Sequence, residues 1–320
     1  MKKALLPLAI AAVMPMSAFA VGPIDGSIYG KVNVSLDSVD DGSNSVTEVN
    51  SNASRMGVKG KSELSEGLYA IYKAEFEIYV DDGDKGGKTF SQRNIYVGLT
   101  GSAGTVIVGR HDTPAKLSQK KIDLFGDLTG DIKNTFEGEN RKSNIVMYTS
   151  PKMSGFSASL MAVASEGDDV DQDGNGDDGL DGLSYSLSYS MDNLYVALSG
   201  DQDIDKQDLM RLVAQYNMGD LQVGAMYQTN EDNADSSAKD EDGYFLSAKY
   251  KLGNGFTLKG QYGEVDDSQN NKEEETFSLG LDYKLAKKTK VFAYYTENTD
   301  TSGGTETEEE ILGFGMEHKF

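Results

Sequence analysis

The sequence predicts an all-β protein, a transmembrane antiparallel β-barrel of sixteen strands with short turns at one rim and long loops at the other. Three observations carry that expectation. Polar and apolar residues alternate nearly from end to end, the alternating segments run to about ten residues, and the connections between them are by turns tight and long.

The alternation is plainest in "IYGKVNVSLD", where Ile28, Val32, Val34 and Leu36 share one face and Lys31, Asn33, Ser35 and Asp37 the other. "GLYAIYKAEFEIYV" sets Leu68, Ala70, Tyr72, Ala74, Phe76, Ile78 and Val80 against Lys73, Glu75 and Glu77. "LSYSLSYSM" sets Tyr185, Leu187, Tyr189 and Met191 against serines, and "FSLGLDYKL" repeats the scheme from Phe277 to Tyr283. Sixteen such segments begin near Ile24, Ser54, Gly67, Phe90, Gly104, Ser143, Gly155, Leu183, Asn193, Asp208, Leu221, Gly243, Gly255, Glu275, Thr289 and Glu309. At ~3.3 Å per residue and a tilt of about 45°, each covers the ~25 Å apolar band of an outer membrane.

The tight connections are Asp192-Asn193, Gly219-Asp220, Gly253-Asn254 and Ala286-Lys287-Lys288. The long ones, at 38–53, 111–142, 165–182, 229–242, 263–274 and 298–308, are acidic. A secreted β-sandwich would alternate as well. Two features favour the barrel. The polar face carries Lys31, Arg55, Lys59, Lys73 and Glu75, suited to a wet lumen, and Tyr and Phe gather near segment ends, as interfacial girdles require.

Lys2 and Lys3, an apolar run from Ala4 to Met14 and the Ala18-Phe19-Ala20 site mark residues 1–20 as a cleaved signal peptide. Residues 21–320 are then a single barrel domain. Without Lys2 and Lys3 the chain has 28 basic against 52 acidic residues, a formal charge of −24, which argues against a nucleic-acid partner. Cysteine is absent, which excludes disulfides and thiolate metal sites. The two histidines, His111 and His318, open a loop and sit on the last strand, and neither suggests a nucleophile–base pair, so no enzyme is expected. No cofactor is expected either, with one reservation. Asp169, Asp171, Asp173, Asn175 and Asp177 follow the D-x-D-x-D-G opening of a calcium loop, but the twelfth position is Leu180 rather than Glu. The loop 169–180 is either a solvated acidic loop or a weak Ca2+ site.

The stretches "IYGKVNVSLD", "SRMGVKGKSELSEGLYAIYKAEFE", "QRNIYVGLTGSAGTVIVGR", "SNIVMYTSP" and the final "HKF" resemble the general (diffusion) porins of Gram-negative outer membranes, over essentially all of 21–320. The resemblance implies a homotrimer in the cell outer membrane, multi-pass and in contact with its lipid, forming a water-filled channel for passive diffusion of ions and small hydrophilic solutes. The alternative is an outer-membrane barrel that acts as an adhesion or structural protein through its acidic loops. A substrate-specific channel would call for an inward aromatic ladder, which the sequence does not display.

The same resemblance implies that the third loop, 111–142, folds into the barrel and narrows it. "DLFGD" is similar to the family's acidic turn and nominates Asp123 and Asp127, although the usual Pro-Glu before the Phe is missing and Lys116, Lys120 and Lys121 lie nearby. Opposite them, Lys31, Arg55, Arg93 and Arg141 match basic wall positions. Parity also puts Lys31 and Arg55 on the polar face, whereas Arg93 shares parity with Ile95, Val97 and Leu99. In the last strand Leu312, Phe314, Met316, His318 and Phe320 alternate outward. The resemblance makes Phe320 the barrel-closing residue and a signal to the barrel-assembly machinery. The acidic mouth leads to an expected mild cation preference.

Overall fold

The computed structural model describes residues 25–165, 179–233, 240–267 and 272–320. The leader and the calcium-loop candidates Asp169, Asp171, Asp173, Asn175 and Asp177 lie outside those residues. In chain order the first strands are β1 (Asp25–Asp40), β2 (Ser45–Ser51), β3 (Arg55–Ser65), β4 (Leu68–Ile78), β5 (Phe90–Gly101), β6 (Gly104–Asp112), β7 (Arg141–Thr149) and β8 (Phe156–Ala164). There follow β9 (Leu180–Met191), β10 (Leu194–Ile204), β11 (Gln207–Met218), β12 (Leu221–Asp232), β13 (Asp240–Gly253), β14 (Phe256–Asp267), β15 (Lys272–Ala286), β16 (Thr289–Ser302) and β17 (Thr305–Lys319). Each pairs antiparallel with its neighbours, and β1 pairs with β17, so the sheet closes on itself. β2 and β3 both pair with β1 and are two halves of one wall strand, interrupted at Asn52–Ser54 where Ala53 is left-handed (φ 46°). The wall therefore has sixteen strands.

Burial separates the barrel from the sandwich. On β15 the apolar Leu279 is 48% exposed while its polar neighbour Ser278 is 0% exposed. A sandwich buries the opposite face; a barrel in lipid turns its apolar face outward. Aromatics on the outer face form two belts, with Phe156–Tyr189 and Phe256–Tyr283 ring pairs at 4.7 and 4.5 Å near the short turns and Tyr244–Tyr262 at 5.9 Å near the loops.

Two expectations are corrected. The term multi-pass does not hold in the sense of a series of separate membrane spans. Among the described residues no helix is long and apolar enough to cross a membrane; the chain crosses as the strands of one closed barrel. Secondly, the connections at 38–53 and 298–308 are mostly strand. β1 and β2 pair out to Asp40↔Ser45, and β16 and β17 out to Ser302↔Thr305 around Gly303 and Gly304, both at positive φ as a tight hairpin turn requires. The physical reason is that a ladder needs only backbone partners. Above the membrane both faces meet water, so the alternation disappears while the pairing continues.

Phe320 lies on the seam. Its N–H donates to the Gly30 carbonyl at 3.0 Å, and Gly30 N–H donates back to its carbonyl at 3.3 Å. The ring covers Gly30 so closely that a Cβ there would stand 2.2 Å from the ring's Cζ. Gly30→Val is expected to lift the ring off β1 and lower the temperature at which the folded barrel loses its compact mobility on denaturing gels. An unchanged transition would show that the ring does not hold the seam.

Candidate functional site: the constriction

The loop between β6 and β7 packs its apolar side chains against inward residues of the wall. Thr113 caps a short helix, α1 (Pro114–Ser118), by accepting from Lys116 N–H, and proline stands at its start where no N–H is needed. Asp131 caps a single 3-10 turn at Ile132–Asn134. Between and beyond these, Ile122, Ile132 and Phe136 pack on the inward residues Tyr195, Ala197, Val213, Met226 and Phe245. Phe125 and Leu128 pack on Phe292, Tyr294 and Ile311. The lumen side of β10–β17 thus offers apolar patches to the loop's apolar side chains.

Polar side chains from the same wall satisfy the loop's backbone, which is obligatory for groups buried there. Gln261 accepts from Leu124 N–H at 2.8 Å and donates to Gly130 O at 2.6 Å. Lys259 donates to Leu124 O at 2.8 Å and lies 4.2 Å over the Phe125 ring. The largest anchor is Arg211, fully buried, which donates to Glu139 Oε1 and Gln228 Oε1, both at 2.8 Å, and to Glu137 O at 2.9 Å. Burial pushes the Glu139 carboxyl up, against the opposing pull of Arg211 and Lys116.

The loop's other side faces β1 and β3. There Asp127 Oδ2 accepts from Lys31 Nζ at 2.6 Å and from an Arg55 Nη2 donor in a second, close ion pair. Burial alone would raise the Asp127 carboxyl, but Arg55 and Lys31 outweigh it and hold it below the usual carboxylate range. Asp127 adopts a left-handed backbone (φ 71°), held by its own N–H donating to Asp131 Oδ2 at 2.6 Å.

Of the residues nominated from sequence, then, Lys31, Arg55 and Asp127 meet. Arg93 instead pairs with Glu77 at 2.8 Å and Glu75 at 3.3 Å, and Glu75 also accepts from Tyr29 at 2.7 Å and pairs with Lys73 at 3.2 Å. Arg141 pairs with Asp112 at 2.8 Å and donates to Asn94 at 2.9 Å. Arg93 turns inward despite its parity because β5 carries a bulge. Ala74 pairs with Ile95 and Phe76 with Gln92, so three steps on β5 match two on β4. Arg211 and Glu139 were not foreseen, since nothing local sets them apart from other charges.

Asp123 has another role than facing the basic wall. Its Oδ1 accepts from Phe125 N–H at 2.9 Å, closing the turn, and its pKa is pushed up to about 8, by burial first and then by the Asp131 carboxylate. A carboxyl raised in the folded state favours that state most at low pH. The contribution is full below about pH 4, the unfolded value, and is lost as pH rises through about 8. Open-channel current noise from loop motion is therefore expected to grow between pH 6 and 9, and to lose that dependence in Asp123→Asn. Noise that is flat with pH in the parent chain would remove Asp123 as a brace.

A model of the Gram-negative porin family matches residues 8–303. The chain belongs to that family. This porin is 27% identical over 289 residues to outer membrane porin protein 32 of Delftia acidovorans, covering 83% of this chain and 80% of that one. It is 28% identical over 250 residues to outer membrane protein U of Vibrio vulnificus, covering 72% and 69%. An anion-selective porin from Comamonas acidovorans superposes on it with a TM-score of 0.75 at 19% identity, over 93% of this chain and 100% of that one. OmpF of Salmonella typhi in complex with daunomycin does so with 0.71 at 15%, over 92% and 97%. The last two share its fold. Membership makes this an outer-membrane channel-type barrel rather than an enzyme.

Proposed function

We propose that this porin is a passive channel for ions and small hydrophilic solutes, formed by residues 21–320 once the leader 1–20 is removed, and assembled as a homotrimer. The observation that carries the reading is the inward-folded loop, whose Asp127 reaches the basic side of the lumen wall and pairs directly with Lys31 and Arg55. Charges of both signs fixed beside a narrow aqueous passage set up a local field, which small cations and anions passing it feel with opposite sign. Arg93 and Arg141, each tied to a wall carboxylate, extend the basic side. The 111–142 loop sets the size limit, because its apolar side is fastened to β10–β17.

Purified protein in planar bilayers is expected to give discrete conductance steps. A preparation that inserts but passes no current would sink the reading and favour a structural role. We further propose that Phe320, besides lying on the seam, is the residue the assembly machinery reads. Deleting it should lower the amount of heat-modifiable trimer in outer membranes more than Gly30→Val does.

A further inference from the structure

The like-charge pairs of the lumen wall are sorted by height. On the half nearer the short turns, which face the periplasm, lysines stand directly opposite lysines in the ladder: Lys59↔Lys73, Lys249↔Lys259 and Lys284↔Lys290. They turn inward: Lys59 and Lys73 lie over the lumen-side Tyr29 ring at 5.1 and 5.8 Å, and Lys259 reaches the loop. Two carboxylates answer them: Asp282 lies 2.8 Å from Lys290 and 3.4 Å from Lys259, and Glu317, opposite Lys290 in the ladder, lies 3.1 Å from Lys319 and 3.9 Å from Lys31. Lys121, on the loop, adds its charge to Lys249.

On the outer half the pattern is inverted. Asp37 stands opposite Glu48 and Glu274 opposite Asp300, with Lys272 the basic partner of Glu274. Glu137, on the loop, is raised by burial first and then by the charges of Glu274 and Asp205. Like charges directly opposite one another are unfavourable in a ladder. A wall indifferent to height would interleave its signs.

We propose that this channel is an ionic rectifier, with a cation-filled outer vestibule and an anion-filled periplasmic vestibule in series across the constriction. The inference rests on the channel reading above and deepens it. A low-dielectric vestibule of one sign concentrates the opposite ion. When the outer side is positive, cations are driven inward from the acidic half and anions outward from the basic half. Both abundant carriers then converge on the constriction, and conductance rises. Reversing the field draws both away and depletes it. The cation preference expected from the acidic mouth therefore belongs to the outer half alone.

The test uses the full chain in planar bilayers, in a known orientation. The sequence has no cysteine, so Ser302→Cys at the β16–β17 hairpin, labelled with an impermeant maleimide-biotin and capped by streptavidin from one chamber, reports which side faces it. At 0.1 M salt, where the Debye length is ~10 Å, current at +100 mV outside should exceed that at −100 mV by about twofold. At 1 M, with a Debye length of ~3 Å, the ratio should approach one. Lys249→Gln combined with Lys284→Gln and Lys290→Gln leaves Lys31, Arg55 and the loop anchor Lys259 in place, and should bring the 0.1 M ratio close to one. Equal currents at 0.1 M in oriented parent channels would overturn the rectifier alone, as would a ratio that survives the triple variant. Failure to conduct at all would overturn the channel reading, and this one with it.

Discussion

Asp127→Asn is expected to shift the reversal potential in a salt gradient toward anions, while Asp123→Asn leaves it where it was. A unit charge ~4 Å from an ion's path is worth about 1 kcal/mol in water, or about fivefold in the local concentration of either ion, in opposite senses, at low salt. Asn is the conservative probe because it tolerates the left-handed backbone that Asp127 adopts. Its amide can still approach Lys31 and Arg55 but carries no charge. Arg55→Gln should move the potential the other way, and both effects should shrink at 1 M salt. Equal shifts from Asp123 and Asp127 would mean that the whole turn, and not one carboxylate, forms the acidic side of the passage.

Arg211→Met should loosen the 111–142 loop without touching its Asp127 side. It removes the donor to Glu139, Glu137 O and Gln228, all at 2.8–2.9 Å. Breaking a buried pair by deleting one partner costs roughly 3–5 kcal/mol. The lower end applies, since burial already biases Glu139 toward its protonated form, which leaves less charge stranded. Single-channel recordings should then display a larger and noisier open level as the loop leaves the wall. Adding Glu139→Gln should recover most of the parent behaviour, because it removes the stranded carboxyl. Additive effects of the two substitutions would show that they act on separate contacts.

The barrel was legible because its signal is local. Each strand of β4, β9 or β15 tells lumen from lipid within ten residues, and the tight turns at Asp192, Gly219 and Gly253 are dipeptide features. The outer hairpins were not legible as strands, since water on both faces erases the period while the ladder from Ser302↔Thr305 inward keeps its backbone pairs. Lys31 and Arg55 could be found by parity. Arg93 could not, because a bulge two residues before Ile95 reverses the count.

By itself the sequence determined a closed, lipid-facing wall of sixteen alternating segments, and its last residue as one of the outward apolar positions. Period-two patterning is a property of neighbours along the chain, so no folded partner is needed to read it. Only the tertiary structure decided which of two carboxylates four residues apart faces the basic wall, and which arginine holds the loop there. Lys31 and Asp127 are 96 positions apart, and Arg211 and Glu139 are 72. Such pairs exist only once the loop's apolar side has found the inner wall. Coulomb attraction then acts across a distance set by that packing, which residue order alone does not contain.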